Sequence, residues 1–208
     1  GSGKRAICAG PGNPPVLVDG TSCLDRAAQH VILGAAYDNN LLCIGEKEVF
    51  VLDPIFDKFL HALERQGAVR LGAQQIERLT NAAFTFPAGQ GAGCAEPSVN
   101  KALIGKDTPI LAQAAGLNVP ARTPLLFGET QANHPFVKEE QMMPFLPIVR
   151  VGSVEEGIEA ARIAERGFKH SAMIHSHDVA NMTAMARALE TTIFVKNGSC
   201  LAGLGNGG

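Results

Sequence analysis

Three groups of residues have types and spacings that could do chemistry. The first is glycine-rich. Gly203-Leu204-Gly205-Asn206-Gly207-Gly208 and Gly89-Gln90-Gly91-Ala92-Gly93 carry spaced glycines. A phosphate cradle also needs a strand before it and a helix after it, so that backbone N–H groups at the helix N-terminus meet the pyrophosphate. The first stretch has no helix after it in this sequence and the second has no clear strand before it, so neither is credited. No Walker lysine motif and no GxSxG elbow is present. The second group is a conceivable metal set, His170, His175 and His177 with Cys200. Side chains alternate along a strand, so residues 170 and 175 face opposite ways; they read as surface or loop histidines, and no metal is expected. The third is Cys43, in Asp38-Asn39-Asn40-Leu41-Leu42-Cys43. A helix pattern ends near Tyr37, the Asn pair suits a turn, and a strand begins a few residues on. A cysteine at such a junction can face a cleft and act as a nucleophile, although a lone cysteine is more often a small buried hydrophobe.

The elements that must position these residues alternate between strand and helix. Val16 to Val18 reads as a short buried strand. Ser22 is the expected N-cap of a helix whose apolar face is Leu24, Ala28, Val31 and Ala35. Glu46 to Leu52 reads as a strand, and Asp53-Pro54 opens a helix with the stripe Ile55, Phe59, Leu63 and a stop at Gly67. Residues 70–84 read as helical, 86–97 as a Gly/Pro-rich loop, and 99–115 as one or two short helices. Strands follow at Leu125 to Phe127 and Phe145 to Val151. Ser153 and Glu156 cap a helix to about Arg166, and His170 to His175 is a strand. Asp178 caps a helix to about Glu190, and Thr192 to Val195 is the last strand. The repeated unit predicts an α/β fold, an open, largely parallel sheet with helices on both faces.

Composition narrows the function class. The 208 residues are 46% hydrophobic, which speaks for a packed core and against disorder. Charged residues are 18%, below the roughly 25% of an average domain, so part of the surface is expected to be covered by a partner subunit or by further parts of a longer chain. A net charge of −2, no Trp and one Tyr argue against a nucleic-acid partner. No apolar run approaches the roughly 20 residues of a membrane span. Five cysteines, an odd number without a CxxC pair, fit reduced thiols in a cytoplasmic compartment better than a disulfide framework.

Four blocks in order resemble the aldehyde dehydrogenase superfamily: Lys4 to Asp19 (KRAICAGPGNPPVLVD), Asp38 to Cys43 (DNNLLC), Asn133 to Arg150 (NHPFVKEEQMMPFLPIVR) and Phe194 to Gly208 (FVKNGSCLAGLGNGG). They are most similar to its CoA-acylating members, the acetaldehyde and propionaldehyde dehydrogenases of bacterial microcompartments. The resemblance makes Cys43 the catalytic thiol, which attacks a short-chain aldehyde, passes hydride to NAD and is left as a thioester for coenzyme A. It makes the Cys43 N–H an oxyanion donor. Glu139 to Pro144 (EEQMMP) is similar to the family's EEIFGP block, whose second glutamate holds the nicotinamide ribose; that position is Glu140, and Met142 replaces the usual Phe. Hydrolytic members carry a glutamate in an ELGGK block, and Ala9 stands in its place before Gly10-Pro11-Gly12-Asn13. Without that base a thioester resists water and waits for CoA. His170-Ser171 resembles a His-Thr pair of the acylating relatives, which implies that His170 assists proton transfer.

By the same resemblance, residues 1–208 are a catalytic domain, an isolated unit or a fragment of a longer homo-oligomeric enzyme, with the NAD-binding domain outside this chain. Cytoplasmic residence, within a microcompartment or free, follows from the same likeness. A hydrolytic dehydrogenase and a catalytically silent scaffold of the same fold are the competing readings.

Overall fold

Strand segments such as Pro15–Val18 and Phe145–Val151 are apolar on both faces, the pattern of strands covered by helices above and below. That is how they fold in a computed structural model that describes residues 10–86 and 97–205. In chain order the elements are β1 (Pro15–Val18), α1 (Leu24–Ala36), a 3-10 turn at Tyr37–Asn40, β2 (Glu48–Leu52), a 3-10 turn at Asp53–Ile55, α2 (Phe56–Arg65), β3 (Val69–Arg70), α3 (Ala73–Ala83), β4 (Phe84–Thr85), β5 (Ser98–Val99), α4 (Thr108–Ala114), β6 (Leu126–Thr130), α5 (Pro135–Lys138), β7 (Phe145–Val151), α6 (Val154–Glu165), β8 (Ser171–His175), α7 (Val179–Leu189), β9 (Ile193–Lys196) and a closing 3-10 turn at Cys200–Leu204. Seven strands form one parallel sheet in the order β3-β6-β7-β2-β1-β8-β9, and β4 pairs antiparallel with β5.

Alternation along the central strands divides the core. Val16, Val18, Val49 and Val51 pack on one face with Val31 of α1 and Phe59 and Leu63 of α2. Leu17 and Phe50 pack on the other with Ala161 of α6 and Met185 and Leu189 of α7. A third cluster joins α3 and α4 to Leu126, Phe136 and Phe145. The α/β reading therefore holds, with helices on both faces.

Local expectations fared unevenly. Ser153 accepts the Glu156 N–H, and Glu156 accepts the Gly152 N–H in return. Asp178 accepts from Ala180 and Asn181, as a cap should. Gly67, at φ +91°, ends the turn after α2. Ser22 is not the N-cap of α1: Cys23 is, and the Ser22 hydroxyl donates back to the Asp19 carbonyl. The helix over 70–84 is shorter, because Val69 and Arg70 are drawn into the sheet beside Leu126 and Phe127. Residues 99–115 hold one helix, α4, preceded by turns. Most of the 86–97 loop, Ala9, and the glycines at 89–93 and 207–208 lie outside the described residues. Among the described residues no helix is long and apolar enough to cross a membrane.

Candidate active site

Parallel strands share one direction, so the segments that lead into β1, β2, β7 and β8 all arrive at one edge of the sheet. These strands are neighbours in the order β7-β2-β1-β8. Gly12 leads into β1, Cys43 to Lys47 into β2, Glu140 into β7, and His170 directly precedes β8. Gly12 is where they meet. Its N–H donates to Glu140 Oε2 at 3.4 Å. A Cβ on Gly12 would lie 2.9 Å from the Cys43 carbonyl oxygen and 3.0 Å from the His170 ring, so only glycine lets these segments approach this closely. The cluster lies at the amino-terminal edge of the strands, opposite to the usual carboxyl-edge crevice of open α/β sheets.

The Cys43 loop is shaped by its own polar residues. Behind α1, Asp38, Asn39 and Asn40 adopt φ of 49°, 52° and 65°. Asp and Asn tolerate this left-handed region better than other side-chain-bearing residues. Asn40 is buried, and its Nδ2 donates to the Ala35 carbonyl at 2.9 Å and the Glu46 carbonyl at 3.0 Å. Asn39 Nδ2 donates to the Gly105 carbonyl at 3.1 Å and to Asp107 Oδ1 at 2.8 Å, tying the turn to the approach to α4. Gly45 N–H closes on the Leu42 carbonyl at 2.9 Å. Cys43 sits half-buried in the loop so formed. On the β8 side, His170 Nδ1 is 2.8 Å from Ser171 Oγ, and its backbone N–H donates to Glu165 Oε1 at 3.0 Å. Glu165 Oε2 takes the Gly167 N–H at 3.0 Å, so one buried carboxylate holds the whole approach to β8.

Three consecutive charged residues, Glu46-Lys47-Glu48, are wholly buried under this loop. Lys47 Nζ donates to the Asn40 carbonyl at 2.6 Å, to Asn40 Oδ1 at 2.7 Å and, more weakly, to the Leu42 carbonyl at 3.4 Å. Burial pushes Lys47 down to about 8, while Glu140, Glu48, Cys43 and Cys200 pull it back up. Burial raises Glu46 to about 7, opposed by the Cys200 N–H that it accepts at 2.9 Å. Burial also drives Glu48 well above the usual carboxylate range, with Lys47 opposing and Glu165 reinforcing the shift. The Cys200 thiol is raised by burial and then by Glu46, so it stays neutral and unreactive.

The family model for the aldehyde dehydrogenase family matches residues 1–206. The chain belongs to that family. It is 49% identical over 205 residues to the acetylating acetaldehyde dehydrogenase EutE of Salmonella typhimurium, a match that covers 99% of this chain and 43% of the relative. It is 42% identical over 208 residues to the CoA-propanoylating propanal dehydrogenase of Citrobacter freundii, covering 100% of this chain and 43% of the other. Among solved structures, a propionaldehyde dehydrogenase from the Clostridium phytofermentans fucose utilisation bacterial microcompartment superposes with a TM-score of 0.89 at 41% identity, over 100% of this chain and 46% of its own. A Rhodopseudomonas palustris propionaldehyde dehydrogenase with bound CoA and an acylated cysteine gives 0.90 at 38% identity, over 100% and 45%. The chain spans less than half the length of these relatives.

In this aldehyde dehydrogenase chain the three residues singled out in the sequence, Cys43, Glu140 and His170, gather at Gly12. The conceivable metal set does not gather. His175 is at the far end of β8, buried and 6.0 Å from the His30 ring, so it is not a surface histidine. His177 is exposed and contacts the Thr21 carbonyl, and Cys200 lies against Glu46. Among the described residues no group of three His, Cys, Asp or Glu side chains could hold a metal ion. Sequence reasoning missed Gly12, Lys47 and Glu165. The signal for Lys47 was available: a run of three charges entering the apolar strand Val49-Phe50-Val51.

Proposed function

We propose that this chain carries the nucleophile of an NAD-dependent, CoA-acylating aldehyde dehydrogenase, which converts a short-chain aldehyde to acyl-CoA through a thioester on Cys43. The observation that carries the reading is the meeting of the Cys43 backbone, the Glu140 carboxylate and the His170 imidazole around Gly12, with Cys43 itself half-buried, in a family whose relatives include acetylating and propanoylating dehydrogenases. The Cys43 thiolate adds to the aldehyde carbon, and the carbonyl oxygen becomes an oxyanion that accepts from the Cys43 N–H. Loss of hydride from this adduct leaves the thioester on Cys43, and a bound nicotinamide would supply the acceptor for it. The CoA sulfur then adds to the acyl carbon and the Cys43 sulfur leaves as thiolate. His170, its Nδ1 held at Ser171 Oγ, takes the CoA thiol proton. Glu140, half-buried with one oxygen on the Gly12 N–H, offers the carboxylate that a ribose diol requires, so the residues present fit that edge of the cofactor. The remaining cofactor contacts belong to parts of the enzyme beyond these 208 residues, of which this chain is the catalytic domain. A homo-oligomer residing in the cytoplasm, enclosed in a microcompartment, fits both the microcompartment origin of a structural relative and the low share of charged residues.

Ala9 in place of a hydrolytic glutamate gives the test. A positioned base contributes roughly 10²–10⁴-fold to attack by water, whereas a thiol nucleophile needs less help. The complete enzyme with aldehyde, NAD and limiting CoA should give a burst of NADH that stalls, with acyl-CoA as the product. Steady formation of free acid without CoA would overturn the acylating reading in favour of the hydrolytic one.

A further inference from the structure

Lys47 has no part in the chemistry above, yet it is a fully buried ammonium group spent entirely on the loop that carries Cys43. Its three acceptors are the Asn40 carbonyl, Asn40 Oδ1 and the Leu42 carbonyl. The first two fix the last residue of the left-handed turn. The third belongs to the same peptide unit as the Cys43 N–H, because Leu42 C=O and Cys43 N–H flank one planar bond. Gly45 N–H donates to that same oxygen at 2.9 Å. Two donors at the oxygen end, one of them cationic, strengthen the dipole of this peptide and make the N–H at its other end a stronger donor to a developing oxyanion.

We propose that Lys47 is a positioning residue for the oxyanion site, acting through the Leu42–Cys43 peptide. It orients that peptide through Asn40 and polarises it through the Leu42 carbonyl, so that the Cys43 N–H stabilises negative charge on the carbonyl oxygen under attack. This rests on Cys43 being the nucleophile. The charged and titratable groups in reach of Lys47 are Glu140 ahead of β7, Glu46 and Glu48 at the start of β2, Cys43 in the loop and Cys200 in the closing turn. Burial is the strongest influence on Lys47 and acts against its charge, so that its protonated form is lost as pH rises through about 8.

Two reactions of the same sulfur separate this role from a merely structural one, and both can be run on the complete enzyme without cofactor. With p-nitrophenyl acetate, the Cys43 sulfur adds to the ester carbon, the oxygen carries negative charge, and p-nitrophenolate leaves. With iodoacetamide, an S–C bond forms as iodide leaves and no oxyanion arises. The ratio of the two rates cancels the thiolate fraction and reports oxyanion stabilisation. That ratio should fall several-fold in the unaltered chain between pH 7 and 9. In Lys47→Met it should be about tenfold lower at pH 7 and flat with pH, less than the 10²–10³ of deleting an oxyanion donor outright, because Lys47 acts through one peptide. Lys47→Arg, which stays charged, should remove the high-pH fall. If Lys47→Met does not fold, Lys47→Gln measured in the same way decides instead. Cys43 labelled by both reagents with the same ratio at pH 7 in the neutral variant as in the unaltered chain would overturn the role of Lys47. Peptide mapping that finds label elsewhere than Cys43 would overturn the nucleophile assignment, and this proposal with it.

Discussion

Glu46 shows how a single buried side chain couples the site to pH. Its carboxyl is raised to about 7 by burial, against an ordinary value of 4.5. Between those two values the unfolded chain has released a proton that the folded chain keeps, so the contribution of Glu46 to stability is complete below pH 4.5 and is lost as pH rises through about 7. Glutamine keeps the acceptor for the Cys200 N–H and cannot ionise. Glu46→Gln should therefore flatten the pH dependence of urea unfolding across this window and stabilise the protein at pH 8 by about 1–3 kcal/mol. Parallel curves for the two proteins would show that the carboxyl ionises normally in the fold. At this scale the sequence was half legible. Cys43, Glu140 and His170 stood out by type and motif, whereas Lys47 and Glu46 were read as the polar start of a strand. A charge of either sign adjoining an apolar run is usually solvated, and nothing local says that the loop before it folds back over both.

Among elements, the least expected is β3, which takes Arg70 from the helix predicted over 70–84 and Val69 from just before it. Val69 and Arg70 pair with Leu126 and Phe127, and the Leu71 N–H donates to the Phe127 carbonyl at 2.8 Å. Pairing with a strand more than fifty residues away has no signature in a local window, so helix periodicity alone decided the reading. The close approach of α3 to β6 rests on Gly128. A Cβ there would lie 2.6 Å from Ile76 Cδ1 and 3.1 Å from the Leu71 carbonyl oxygen, and the second of these is backbone and cannot swing away. Gly128→Ala should cost about 1–3 kcal/mol, read as a lowered urea midpoint with the slope unchanged. An unaltered midpoint would mean that α3 shifts freely against the sheet.

For the molecule as a whole, buried titratable groups pull stability in opposite directions. Burial lowers His134 to about 4, and burial followed by the neighbouring His30 lowers His175 to about 3. Below their ordinary value of 6.5 the unfolded chain takes up protons that the fold refuses, so stability falls as pH drops. Glu46 and Glu48 act the other way above 4.5, since the fold keeps protons that the unfolded chain releases. The two slopes cancel between about pH 4.5 and 6.5, and unfolding free energy should be highest there, lower at pH 4 and lower at pH 8. Urea titrations at pH 4, 5.5 and 8 check this, and a maximum at pH 8 would contradict it.

Sequence alone determined the fold class and singled out Cys43, Glu140 and His170 as candidates for the chemistry. Apolar strands alternating with amphipathic helices can bury both kinds of surface only as a helix-covered parallel sheet. The roles proposed for Cys43, Glu140 and His170, as nucleophile, ribose contact and proton-transfer group, come from the family resemblance of the blocks in which they lie. What tertiary structure decided is which segments share an edge. Gly12, Lys47 and Glu165 acquire meaning only because β7, β2, β1 and β8 lie side by side in parallel and bring their leading segments together. Strand order is set by packing over the whole chain, and burial of Lys47 is set by that order, because the ammonium group stays in the interior only where the Asn40 and Leu42 carbonyls replace its water.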